Sequence, residues 1–154
     1  MDAPFALTLI VCLLAPLAAA STTKPSAGGG GTADAVAVRG SWTCVSAVVD
    51  GKPLAEKTAR KLRLTLTADR YKTERGDEVL FDSTYRLDPG HKPGRIEMIG
   101  TEGDAAGKPA LGIYLLEGDT LKICYAMPGG KRPERFESAS GSGVFLVVWT
   151  RAKN

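Results

Sequence analysis

The chain of 154 residues has one histidine, three cysteines, and aromatics at only 6%. Each shortage excludes something. A single histidine, His91 in a Pro/Gly-rich stretch, rules out a histidine-based metal site, and nothing near it forms a nucleophile turn. So few thiols, so far apart, cannot build a zinc ribbon. The scarcity of aromatics argues against a stacking surface for bases, and the net charge of +3 is spread without a long basic run, so no nucleic-acid partner is expected. The carboxylate pairs Asp77/Glu78, Glu102/Asp104 and Glu117/Asp119 fall in turn-like stretches, where acids serve the local backbone. The segment Gly103–Lys108 is one residue short of a phosphate loop, and Pro109 stands where the magnesium-binding hydroxyl belongs. No cofactor is expected, and the chain reads as non-catalytic.

What the sequence does contain starts with an apolar run from Phe5 to Leu17, followed by Ala18-Ala19-Ala20. This is the pattern of a secretory signal cleaved after Ala20, despite the missing basic residue at the start, and the run is too short to span a bilayer comfortably. Cys12 lies inside that run and follows Val11 rather than a small residue, so it reads as part of the signal, not a lipid attachment site. The expectation is an exported protein (periplasmic, envelope-associated or secreted) with no integral membrane span after cleavage. Residues 21–36, with Lys24-Pro25-Ser26 and four consecutive glycines, read as a flexible linker. Residues 37–154 form the domain.

Within the domain, short alternating segments are separated by turn residues: Arg39–Asp50, Leu62–Leu66, Arg70–Arg75, Glu78–Leu87, Arg95–Ile99, Pro109–Leu116, Thr120–Met127 and Val144–Arg151. Pro53–Lys61 has a helical pattern. Eight strands joined as a meander predict an all-β fold, an eight-stranded antiparallel up-and-down barrel with one short helix after the first strand. Closure removes two sheet edges. The last strand is apolar on both faces and needs a cover on its outer side. Cys44 and Cys124 fall on opposite faces and should remain separate thiols.

Gly40-Ser41-Trp42 resembles the Gly-x-Trp that opens the first strand of lipocalin-like barrels. In those proteins an Arg or Lys from the end of the last strand packs over the tryptophan, which assigns barrel closure to Trp42 and Arg151. A wider set of motifs occurs in order: Val49-Asp50-Gly51-Lys52-Pro53-Leu54, Leu87-Asp88-Pro89, Lys92-Pro93, Thr101-Glu102-Gly103, Leu111-Gly112-Ile113-Tyr114, Gly118–Tyr125, Arg132-Pro133 and Gly141-Ser142-Gly143. Together they resemble a small exported, lipocalin-like domain family abundant in planctomycete bacteria, without an assigned activity. The resemblance implies fold and export, not a reaction. Pro53–Lys61 resembles the lid of fatty-acid-binding barrels, and the second lipocalin motif and the terminal helix are absent.

If Trp42 points inward, strand alternation carries Ser46 and Val48 with it. Leu64, Leu66, Phe81, Ser83, Tyr85, Ile123, Tyr125, Leu146 and Val148 are the expected companions. Ser46, Phe81, Ser83, Tyr85 and Tyr125 are therefore the candidate ligand-binding residues. A barrel of this size either fills with side chains or holds one small ligand, and the sequence leaves the two open. The hollow case implies a small apolar or amphipathic ligand, with Lys131, Arg132 and Arg135 available to an acidic head group. The filled case implies a structural or protein-interaction module of the cell envelope.

Overall fold

A computed structural model describes residues 29–153. The expected signal, 1–20, and residues 21–28 of the expected linker lie outside them. In chain order the elements are α1 (Gly29–Ala37), β1 (Gly40–Val49), β2 (Lys52–Pro53), α2 (Glu56–Ala59), β3 (Leu62–Leu66), β4 (Arg70–Arg75), β5 (Glu78–Asp88), β6 (Gly94–Gly100), a 3-10 turn (Gly103–Ala105), β7 (Pro109–Glu117), β8 (Thr120–Ala126) and β9 (Val144–Arg151). From β3 onward each strand pairs with the next, β1 pairs with β3, and β9 returns to β1, always antiparallel. The result is the closed eight-stranded meander barrel that the alternation predicts. Among the described residues no helix is long and apolar enough to cross a membrane.

The extra strand β2 is a two-residue leg folded back on the end of β1, Val49 against Lys52. Its turn is made by Asp50 and Gly51, both at positive φ (50° and 77°), the requirement of a tight hairpin whose twist matches its strands. A Cβ on Gly51 would also lie 2.4 Å from the Ser140 backbone nitrogen, so glycine is required there twice over. This hairpin uses Pro53 as strand, and the helix that follows is one turn, shorter than Pro53–Lys61.

The barrel has a base and a mouth. At the base, Trp42 and Arg151 sit directly opposite in the β1–β9 register, with the guanidinium 4.3 Å from the centre of the indole. Arg151 Nη2 donates to the Ala37 carbonyl (2.8 Å) and Nη1 to that of Arg39 (3.1 Å), while Trp42 Nε1 donates to Val38 O at 2.8 Å. Gly40, at φ +120°, lets the chain turn from α1 into β1 beneath that arginine. The same contacts correct the expected linker. From Gly29 the chain is helical, although consecutive glycines are poor helix formers. Long-range partners outweigh that propensity: Tyr114 donates to the Asp34 carboxylate at 2.6 Å, Val38 is buried in the core, and Arg151 satisfies a carbonyl at the helix end.

Which residues face inward differs from simple alternation on two strands. A bulge between Cys44 and Ser46 leaves both Val45 and Ser46 exposed on the outer side, so Ala47 and Val49 turn inward instead of Ser46 and Val48. On β9 the inward set is Phe145, Val147 and Trp149 rather than Leu146 and Val148. Both faces of that strand are apolar, so hydrophobicity does not distinguish them.

The expected outer cover of the last strands is the loop 128–143. Arg132 Nη1 donates to the carbonyls of Ile96 (2.9 Å) and Gly112, which holds the loop to β6 and β7, and the residue is not on the lining of the cavity described below. Ser138 Oγ donates to Val144 O (2.6 Å) and accepts from Gly51 N. Lys122 Nζ lies 5.5 Å from the centre of the Phe136 ring. Cys124 is buried beneath this loop, its thiol 3.5 Å from Glu137 O, while Cys44 is buried in the barrel core. Both are free thiols on opposite faces, as expected.

Candidate functional site

The base half of the barrel is solid. Trp42, Leu64, Met98, Ile123 and Ser83 are all under 2% exposed there. The mouth half is hollow, with a cavity of about 510 Å³. Room is left because two strands set alanine on the cavity wall: Ala47 on β1, opposite Val147, and Ala110 on β7, opposite Met98, both buried. The rest of the wall includes Val49, Leu62, Thr73, Phe81, Tyr125, Phe145 and Val147. Tyr71 on β4 and Trp149 on β9, the residues of their strands nearest the base that touch the cavity, form its floor. Leu54 and Thr58 of the α2 segment overhang the mouth, facing Leu80, Ala105 and Met127. The charged residues on the lining are Arg75, Asp104 and Lys108, all exposed and all at the rim.

Aromatic packing fixes the walls. Tyr71 meets Phe81 edge-on with ring centres 6.2 Å apart, and Tyr85 edge-on at 6.5 Å. Tyr125 and Phe145, cross-strand partners, stack at 5.1 Å, nearly parallel. Burial holds the phenols of Tyr71 and Tyr125 well above the usual value, so both keep their protons, and it pushes the Cys44 thiol up to about 11. The interior is therefore uncharged as well as apolar. One polar atom stands out. Trp149 Nε1 is buried with no hydrogen-bond partner among the described residues.

Of the five candidate ligand residues, the structure brings Phe81 and Tyr125 to the cavity. Ser83 and Tyr85 point inward but lie below the floor, committed to structure: Ser83 Oγ donates to Tyr71 O at 3.4 Å, and the Tyr85 hydroxyl to Thr67 O at 2.7 Å. Ser46 is outside the barrel because of the bulge. Tyr71 and Trp149 went unnoticed in the sequence. Tyr71 had a usable signal, since Arg70, Lys72 and Glu74 put charge on the alternate face of β4. His91 pairs with Asp88 (Nδ1 to Oδ2, 2.9 Å) in the exposed loop after β5, at the base and away from the cavity.

These raised acid constants set a pH dependence. A folded-state pKa above the unfolded one gives stability that is complete below the unfolded value and is lost as pH rises through the folded value. Cys44 moves from 9.0 to about 11, and the Tyr71 and Tyr125 phenols move upward from 10.0. Denaturation midpoints should hold level up to pH 9 and then fall through pH 11. A midpoint unchanged at pH 11 would show that these groups titrate freely in the folded barrel.

Comparisons with protein-family models, with curated proteins and with solved structures find no match to this chain.

Proposed function

We propose that the barrel binds one small apolar or amphipathic molecule in its mouth-side cavity and does no chemistry on it. The observation that carries this reading is the cavity itself: about 510 Å³ of apolar, uncharged space above a solid floor. Its size falls in the range of small-molecule sites, roughly 300–1,000 Å³, and its lining matches their pattern of apolar walls with a few polar groups. A barrel acting only as a rigid interaction module has no need of an unfilled half, and large side chains at positions 47 and 110 would fill it. The rim charges Arg75 and Lys108 offer a place for the polar end of an amphiphile, outside the apolar interior. Export rests on the Phe5–Leu17 run and Ala18-Ala19-Ala20, and membership of the planctomycete lipocalin-like family on the ordered motifs from Gly40 to Gly143.

The direct test titrates the full chain with an environment-sensitive fluorescent dye and then displaces the dye with fatty acids and fatty alcohols of increasing length. Saturable uptake of one dye per chain, and displacement that strengthens with length until the cavity is full, is the expected result. Absence of saturable uptake would overturn the proposal.

A further inference from the structure

Resting on the ligand-binding reading above, we infer that the cavity prefers a flat aromatic ring system to a saturated skeleton of the same carbon count, and that it holds the ring between Phe81 on one wall and the Tyr125–Phe145 pair on the wall opposite.

The chain is poor in aromatics, yet half of them, Tyr71, Phe81, Tyr125, Phe145 and Trp149, are on the lining of this one cavity. Tyr71 and Trp149 are 1% exposed and close its floor. Phe81, Tyr125 and Phe145 are inward residues that stay only half-buried, so the surface they keep open is turned to the cavity and its mouth. Strand order sets them on opposite walls. β5, which carries Phe81, is separated from β9, which carries Phe145, by β4, β3 and β1 in one direction and by β6, β7 and β8 in the other. Tyr125 is the cross-strand partner of Phe145, and their planes are 5° apart with ring centres 5.1 Å apart. The strands on either side of this pair set alanine on the wall, Ala47 on β1 and Ala110 on β7, which leaves room beside the rings. Phe81 is steadied from the floor by the edge-on contact with Tyr71.

An aromatic ring has a negative face and a positive edge, so a ring lodged among others finds offset or edge-on arrangements that attract beyond the area buried. A saturated skeleton buries similar area without that term. The charged residues of the lining are at the rim, so nothing ionic competes inside. The wall rings are already ordered by their own packing, so little side-chain freedom is lost when a ligand enters.

The experiment compares naphthalene with decalin, its saturated counterpart, binding to the full chain. Each affinity is set against the same probe's partition from water into hexadecane, which removes the difference in hydrophobicity. On that scale wild type should favour naphthalene roughly tenfold. Phe81→Leu and Phe145→Leu, which remove a ring from either wall, should each lower this ratio roughly threefold. A second readout needs no variant. In the wild-type chain the methyl resonances of Ala47 and Ala110 should shift by ring current with naphthalene and far less with decalin. A naphthalene-to-decalin ratio equal to that of hexadecane, a ratio undiminished in both variants, or alanine methyls unmoved by bound naphthalene would overturn this inference and leave the cavity reading to the dye titration. Uptake of neither probe, together with no saturable dye uptake, would overturn both.

Discussion

Replacing Trp42 with alanine is expected to lower the unfolding free energy by roughly 3–5 kcal/mol, the range for large buried aromatics. Three losses combine. The side chain is wholly buried, so its removal leaves a void in the solid half of the barrel. Val38 O loses its donor, and Arg151 loses the ring it covers at 4.3 Å. Trp42→Phe separates these effects, since it retains most of the packing and loses the indole donor; it should cost about 1–3 kcal/mol, the penalty for a buried carbonyl left unpaired. The measurement is urea denaturation of each variant, with amide exchange in α1 as a local probe. The exchange should quicken in both variants, because the helix is held through Val38 and Ala37. A midpoint equal to wild type in Trp42→Ala would mean that the indole is not part of the core.

Filling the cavity should have the opposite effect on stability and a large one on binding. Ala47→Phe and Ala110→Phe each place a ring in open space from a different wall. Each methylene held in the cavity contributes about 0.8 kcal/mol. A ring that ejects four of them removes about 3 kcal/mol, a loss of affinity on the order of a hundredfold. Apolar contact with Phe81, Tyr125 or Phe145 should at the same time raise stability by about 0.5–2 kcal/mol, as cavity-filling changes do. Tighter folding with lost dye uptake is a combination that damage to the fold cannot produce. Dye uptake unchanged in both variants would place the binding surface elsewhere.

The strand limits were legible from turn residues. Gly76-Asp77 and Glu117-Gly118-Asp119 separate alternating runs, and β4–β5 and β7–β8 turn at those positions. The closing pair Trp42 and Arg151 was legible as well, because Gly-x-Trp and a terminal arginine have a shared physical role. The inward face was harder. On β1 a bulge inserts one residue, and every parity assignment after Cys44 reverses, which moved Ser46 outside and Ala47 in. On β9 both faces are apolar, with Leu146 and Val148 half-buried on the side away from the core, so period-two hydrophobicity carries no information. Helix α1 was illegible for a different reason. Its partners Tyr114 and Arg151 lie 80 and 114 residues from the groups they hold, Asp34 and Ala37. The hollow could not be seen in advance, because it results from small residues on separate strands meeting the rings of others.

The junction of α1 with Arg151 gives the molecule a polarity. Gly40 and Arg151, where the chain enters and leaves the barrel, are at one pole, and the opening beneath Leu54 and Thr58 is at the other. An attachment made at the α1–β1 junction or just after Arg151 would sit against the sealed pole, leaving the aperture turned away from its support and unobstructed.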